Sequence, residues 1–383
     1  MKTDKGKVAT PIIPAATGNE QPLSNNANHN ITENKHDCNK NIEFSKMQQL
    51  HRINSPDYLH TVSLTELYDT IYPARLQIIE GLLFSGVYIF AGAPKIGKSF
   101  FMAQLAYHIS NGINLWDYSV SKGTVLYLAL EDDYARLQKR LSRMFGTDST
   151  ESLHFATHAK NLFDGLNAQL KGFVKEHDNT KLIIIDTLQK IRELGGEKYS
   201  YASDYDIVTQ LKRFADMHNI CILVVHHTRK QGAEDSFETI SGTNGLLGAA
   251  DGGFIMQKEK RTDNKATLEI IGRDQQDQRL HLLFDREHCL WQLTETETEL
   301  WKEPPDPILK SVSKLVTPDS PVWIGSASEM IINLNGIDIQ PNMLTRRLNV
   351  GVATLLAEYG VRYECSRSHA GRIVKLTLDN SEA

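Results

Sequence analysis

Four cysteines in 383 residues, with no CxxC pair among them, leave this chain without a disulfide framework or a thiolate metal site. Cys38, Cys221, Cys289 and Cys365 stand far apart, a usage that suits a reducing cytoplasm, and Cys221, which opens an apolar run, is expected to be a buried thiol. No apolar run approaches the roughly 18 residues of a membrane span. The N-terminal stretch also has no apolar segment of the kind a signal peptide needs. A cytoplasmic protein with no membrane partner is therefore expected. An excess of positive charge is absent too: 42 Lys and Arg face 47 Asp and Glu, for a net charge of −5. Any contact with nucleic acid must come from a local basic patch, not from global attraction. What remains is ordinary for a globular chain, 40% hydrophobic and 23% charged, and long enough for two or three domains. No internal repeat is present.

Residues 1–55 are poor in large apolar side chains and crowded with asparagine (Asn19, Asn25, Asn26, Asn28, Asn30, Asn34, Asn39, Asn41). Such a segment buries too little surface to offset its ordering entropy, so a disordered tail is expected. His29, His36 and Cys38 fall inside it and read as solvated tail ahead of a metal site. Ser63-Leu64-Thr65-Glu66 then matches a capping box at the head of an apolar run.

The most informative stretch is Gly92-Ala93-Pro94-Lys95-Ile96-Gly97-Lys98-Ser99. It fits G-x-x-x-x-G-K-[ST], the phosphate-cradling P-loop. Val87–Ala91 before it suits a buried strand, and Phe100–Ile109 after it suits a helix. Strand, glycine loop and helix together aim backbone N–H groups and a helix N-terminus at phosphate. Gly92 through Phe100 would wrap ATP, Lys98 would reach the β- and γ-phosphates, and the Ser99 hydroxyl would sit on Mg²⁺.

Strand and helix patterns alternate onward. Strands are expected at Thr124–Leu130, Leu153–Ala156, Lys181–Ile185 and Ile220–Val225, and helices at Tyr134–Met144, Leu162–His177 and Tyr205–His218. That rhythm predicts an α/β domain with a mostly parallel sheet. Gly253–Gln257, Lys265–Ile271, Leu280–Phe284 and Cys289–Leu293 read as successive strands, an antiparallel extension at the sheet edge. Prolines at 304, 305 and 307 mark a linker. The expected domains are a tail (1–55), a P-loop ATPase domain (56–298), a linker (299–306) and a small C-terminal domain (307–383).

Acids close two of the strands. Lys181–Thr187 is an apolar strand ending in Asp186, the Walker B pattern, which would hold Mg²⁺. Leu126–Asp133 ends in Glu131, Asp132 and Asp133. A carboxylate there can polarise the water that attacks the γ-phosphate, and Asp132 or Asp133 can cap the helix that follows. Val224–Lys230 places His226, His227 and Lys230 where a third strand ends, on the face where ligands bind in such sheets. Arg273 follows Gly272 at the close of the Lys265–Ile271 strand. It reads as an arginine supplied in trans or as a surface partner of Asp274. The glycine-rich Ser241–Gly248 segment reads as a pore loop or as a mobile surface loop.

KIGKS, LYLALEDD, LIIIDTLQKI, VVHHTRK, ISGTNGLLGAADG and IIGRDQQDQ, in this order over about residues 70 to 295, resemble the RecA-like ATPases of the RepA replicative helicase group. The version they resemble is found on plasmids, phages and integrative elements of bacteria. The resemblance implies Lys98 and Ser99 at the phosphates, Glu131 as catalytic base, Asp186 at Mg²⁺, His227 as γ-phosphate sensor and Arg273 as an arginine finger entering a neighbouring subunit. It also implies ring-shaped hexamers acting on single-stranded or forked DNA. The long N-terminal tail and the C-terminal module depart from the family's usual extent.

That module reads as helices at Ile308–Leu315, Ser326–Leu334, Pro341–Leu348 and Val352–Tyr359, then a hairpin of Val361–Cys365 and Arg372–Leu378. This is a winged-helix pattern, similar to domains appended to primases and helicases of mobile elements. Between residues 340 and 376 lie six basic residues (Arg346, Arg347, Arg362, Arg367, Arg372, Lys375) and two acids (Glu358, Glu364). Local charge of this kind is the footprint of phosphate binding, although a protein-docking face carries it too. Asn342, Arg346 and Arg347 would face the major groove, with Arg367 and Arg372 at the wing and Lys230 at the pore. The sequence therefore points to an ATP-driven DNA replication protein, a ring-forming helicase or loader, with replication partners engaged through the tail or the C-terminal module. A non-translocating ATP-dependent regulator, or a recombination mediator, is the second reading.

Overall fold

The computed structural model describes residues 57, 59–192, 201–228, 237, 240, 244–260, 262–297, 304–334, 337–368 and 371–379. Contacts divide the chain into two units, Met1–Leu67 and Tyr68–Ala383. The expected tail 1–55, with His29, His36 and Cys38, lies outside the described residues. The first helix, α1 (Leu64–Asp69), opens on the expected reciprocal cap. The Ser63 backbone N–H donates to Glu66 Oε2 at 2.8 Å and the Glu66 N–H donates to Ser63 Oγ at 3.2 Å.

A short ribbon of β1 (Gln77–Ile79) and β2 (Leu83–Phe84) leads into the core. There, β3 (Gly86–Gly92) precedes α2 (Lys98–Asn111), and β4 (Thr124–Ala129) precedes α3 (Tyr134–Phe145) and β5 (Leu153–Ala156). Next come α4 (Asn167–Glu176), β6 (Thr180–Asp186), α5 (Leu188–Ile191), α6 (Tyr201–His218), β7 (Cys221–His227) and α7 (Asn244–Ala249). The core ends in four strands, β8 (Gly252–Gln257), β9 (Lys265–Gly272), β10 (Gln278–Asp285) and β11 (Leu290–Thr296).

These strands form one nine-stranded sheet in the order β11-β10-β9-β8-β3-β7-β6-β4-β5. From β8 to β5 every pair is parallel, and from β8 to β11 every pair is antiparallel. Helices cover both faces, which is why the central strands read as unbroken apolar runs. Within β3, Tyr88 and Phe90 point into the layer shared with α2 and α3, whereas Val87, Ile89 and Ala91 point into the layer shared with α4, α5, α6 and α7. This is the α/β core with a mostly parallel sheet and an antiparallel edge extension expected from the sequence. That edge is tied to α2 by a reciprocal pair: Gln104 Nε2 donates to the Trp291 carbonyl at 2.9 Å, and the Trp291 N–H donates to Gln104 Oε1 at 2.8 Å.

Two expectations need correction. Leu162–His177 is not one helix: a π-turn over Leu162–Leu166 precedes α4, and Gly165 at φ +121° interrupts the helical path. The C-terminal region also contains a strand that its sequence did not advertise, β12 (Val322–Gly325). It lies between α8 (Pro307–Ser313) and α9 (Ala327–Asn333), and is followed by α10 (Pro341–Val350), α11 (Val352–Tyr359), β13 (Val361–Ser368) and β14 (Gly371–Leu378). These strands pair as β12-β14-β13 around a separate apolar cluster of Leu309, Val312, Met330, Leu344, Leu355 and Val374. Cys221 is fully buried, as expected, and burial pushes its thiol pKa up. Among the described residues no helix is long and apolar enough to cross a membrane.

Candidate functional site

Parallel strands β3, β7, β6 and β4 all end at one edge of the sheet, and the sequence-predicted residues gather there. They line a cavity of about 580 Å³ together with Lys258 and Phe284. The loop after β3 turns through Lys95 at φ +66° and Gly97 at φ +107°. A side chain at Gly97 would meet the Trp291 ring at 2.9 Å, so both conformation and space demand glycine there. Gly92 is closed in by Ile96 and the Met256 carbonyl, which a Cβ would meet at 2.6 and 2.8 Å. Phe100 packs beside Phe284, ring centroids 5.6 Å apart.

Lys98 is 5% exposed. Its Nζ donates to the carbonyls of Gly92 at 2.8 Å and Ala93 at 3.0 Å, and lies 3.2 Å from His227 Nδ1. Burial lowers the Lys98 pKa to about 8, against the pull of Asp186 and Glu131. His227 is shifted down by burial and by the Lys98 charge. Ser99 Oγ donates to Asp186 Oδ2 at 2.8 Å, and the buried Tyr127 hydroxyl donates to the same oxygen at 2.9 Å. Burial raises the Asp186 pKa, so its charge is costly here without a cation opposite. A hydroxyl in the first turn of α2 and a buried carboxylate at the end of β6 are the oxygen donors a hard divalent cation takes, so the set fits Mg²⁺. Glu131 Oε1 accepts from Thr187 Oγ1 at 3.2 Å. The neighbouring acids divide their tasks: Asp133 caps α3 by accepting from the Arg136 N–H at 2.8 Å, and Asp132 pairs with Arg140 at 2.6 Å.

Arg273 is elsewhere. Gly252 pairs with Tyr88 on one side and with Gly272 on the other. Arg273 therefore stands at the opposite edge of the sheet from the P-loop. Its guanidinium donates to the Gly248 carbonyl at 2.9 Å and makes no ion pair with any described residue. Asp274, the surface partner expected for it, is taken by Arg75 at 2.8 Å. Arg75 also reaches the buried Asp251 at 2.9 Å, as Lys212 does, while the Asp251 carbonyl accepts the Arg273 N–H at 2.9 Å. Burial works to raise the Asp251 pKa, but these donors and the Val87 N–H hold it below the ordinary range.

On the C-terminal region Arg346 and Arg372 converge on one carboxylate, Asp69, at 3.0 and 2.7 Å. Arg347 pairs with Asp306 at 2.7 Å. Asn342 Oδ1 accepts from the Met343 N–H at 2.9 Å. Lys230, residues 241–243 and the side chain of Arg367 lie outside the described residues, and Asn244–Gly248 belong to α7.

Sequence reasoning missed Tyr127, Thr187, Arg75 and Lys258. Lys258 Nζ sits 5.1 Å above the Trp291 ring and donates to the Asp263 carbonyl at 3.0 Å. The rule that ligands gather where parallel strands end would have found it, since it follows β8 directly.

A family profile described as an AAA domain matches residues 55–233. The DNA repair protein RadA of Streptococcus pneumoniae is 26% identical over 154 residues, which are 40% of this chain and 32% of that protein. The chain thus spans about a third of the length of the curated relatives it matches. Two solved structures align with it. One is a structure of an ATPase domain, matched at TM-score 0.47 and 15% identity over 66% of this chain and 99% of that one. The other is a DnaB-like replicative helicase, reported with its interactions with primase, matched at TM-score 0.47 and 12% identity over 68% of this chain and 75% of that one.

Proposed function

We propose that this chain is an ATP-hydrolysing DNA replication protein that works as a ring, a RepA-like helicase or loader of a bacterial mobile element. One observation carries the reading: Lys98 held on two loop carbonyls beside a Ser99–Asp186 pair 2.8 Å apart, at the carboxyl edge of a parallel sheet. The loop N–H groups and Lys98 bind the triphosphate. Ser99 and Asp186 would hold Mg²⁺, which would supply positive charge against the triphosphate. Glu131, oriented by the Thr187 hydroxyl, takes the proton of the water that attacks the γ-phosphorus. His227, against Lys98, senses whether the γ-phosphate is present.

Arg273 supplies the last cation to a neighbouring copy. Within its own subunit it follows Gly272, which stands level with Tyr88, four residues, about 13 Å, behind Gly92 along β3. A ring, expected to be a hexamer, therefore completes each site from two copies. Single-stranded or forked DNA is the partner, held by the basic C-terminal module, which we read as a winged helix; replication partners would dock on the tail or on this module. The relative described as a DNA repair protein favours a second reading, a recombination mediator or ATP-set regulator.

Three measurements on the purified chain test this: phosphate release with and without single-stranded DNA, mass in the presence of ATP and Mg²⁺, and unwinding of a forked duplex. Stimulated hydrolysis by a ring that separates strands is the expected outcome. Stimulated hydrolysis without separation selects the second reading. A chain that stays a single subunit with every nucleotide and DNA, or that binds no ATP, sinks both.

A further inference from the structure

Six positions before Arg75, Asp69 carries the densest ion pairing on the C-terminal region. Its two oxygens are shared out: Oδ1 accepts from Arg346 Nε at 3.0 Å and Oδ2 from an Arg372 amino group at 2.7 Å. Arg346 comes from helix α10 and Arg372 from strand β14, so the carboxylate bridges a helix and a hairpin. Each of the three side chains is about a third exposed. The neighbouring backbone is fastened as well. Asn349 Nδ2 donates to the Tyr68 carbonyl at 3.0 Å, and Asn349 Oδ1 accepts from the Tyr363 hydroxyl at 2.9 Å. Asn349 and Tyr363 are both 4% exposed. This is a built seat and not a chance surface pair, which would ordinarily contribute little.

Two guanidiniums that divide one carboxylate between them present the geometry that a phosphodiester also satisfies. Both anions offer a pair of charged oxygens, and arginine forks match either. We infer that Arg346 and Arg372 form a phosphate-binding fork for the DNA backbone, and that Asp69 fills it in the free chain as a substitute anion. DNA must displace Asp69 to engage the module. Binding then releases the Tyr68–Asp69 stretch, which is joined through residues 70–74 to Arg75 and the Asp251–Asp274 cluster behind Arg273. The inference rests on the reading that this module binds DNA, and it adds what holds that binding in check.

The test uses the full chain, a fluorescent forked DNA and a titration at several salt concentrations. Asp69→Asn keeps size and shape and removes the charge. It should tighten binding about tenfold, as expected when a charge-assisted pair no longer competes. It should also steepen the salt dependence by about one to two released counterions. Arg346→Ala with Arg372→Ala should weaken binding and erase the Asp69→Asn gain when combined with it. A structural role for Asp69 moves neither the salt slope nor this dependence on the arginines. If Asp69→Asn binds DNA no tighter than the parent, the masking fails. In that event the arginine variant still reports on the module: weaker binding keeps DNA as its ligand, and unchanged binding removes it. Thermal melts of each variant guard against misfolding, and Asp69→Glu, which restores the charge, should return binding toward the parent.

Discussion

Two sets of cations in this protein are held differently: three in the core rest on backbone carbonyls, whereas the described arginines of the C-terminal region, like Arg140 and Lys212 of the core, rest on carboxylates. At the ends of the sheet, Lys98 rests on the Gly92 and Ala93 carbonyls, Arg273 on the Gly248 carbonyl and Lys258 on the Asp263 carbonyl. On the C-terminal region, Arg346 and Arg372 rest on Asp69 and Arg347 on Asp306. A carbonyl orients a cation without cancelling its charge, and neither Lys98 nor Arg273 is ion-paired with a described acid. A carboxylate cancels the charge it holds, so the C-terminal arginines offer an anion nothing until their own acid leaves. Holding Lys98 this way costs solvation, which is why its pKa falls to about 8. Arg75 occupies an intermediate place. It is carboxylate-held itself, and by taking Asp274 it leaves the adjacent Arg273 on a carbonyl.

Lys98 is where this division has the most to lose. Replacing it with alanine should cut phosphate release by ~10³ or more, since one preorganised donor to developing charge is worth about that much. Arg273→Ala comes next. Turnover should fall by ~10³ while nucleotide affinity, measured by equilibrium titration, stays within about twofold, because an arginine finger acts on the transition state. Hydrolysis at the parent rate in that variant would end the idea that carbonyl-held cations mark the catalytic ones. Arg75 tests the boundary between the two classes. Its loss frees Asp274 to capture Arg273, so Arg75→Ala should lower kcat about tenfold with KM for ATP unchanged. Adding Asp274→Asn should restore turnover. A purely structural Arg75 gives no such rescue, and Lys212 still pairs with Asp251 in each variant.

Legibility follows the same division. The P-loop, Asp186 and the strand ends were readable because each is a local pattern: Lys98 meets carbonyls only five and six residues away. Helix boundaries were readable where caps are local, as at Ser63–Glu66 and Asp133–Arg136. The carboxylate pairings were not, because they join residues 277 and 303 positions apart for Asp69 and 176 apart for Arg75 and Asp251. Composition showed six arginines and lysines facing two acids over residues 340–376, and counted as free a charge that Asp69 and Asp306 neutralise from outside that window. Tyr127 was hidden for another reason. An apolar strand with a tyrosine reads as core, and only the neighbouring strand's Asp186 turns its hydroxyl into part of the site.

A weaker perturbation asks whether a carboxylate-held arginine contributes stability as well as neutrality. Asp306 has two attachments: its Oδ1 accepts from the Ile308 N–H at 2.8 Å as the cap of α8, and its Oδ2 pairs with Arg347 at 2.7 Å. Burial works against its charge, but Arg347 and the cap N–H groups outweigh it and leave the pKa below the ordinary value. A lowered carboxylate pKa stabilises the fold above the unfolded value, about 3.9, and that contribution disappears as pH falls through the folded one. Asp306→Ala should therefore cost about 1 kcal/mol at pH 7, the usual loss for an N-cap. The gap to the parent should narrow in melts run at successively lower pH below the ordinary carboxylate range. Arg347→Ala, which leaves the cap in place, should cost less than half as much. Equal losses in the two variants would mean that the ion pair, and not the cap, anchors the helix, and would raise the barrier to freeing Arg347 for any anion.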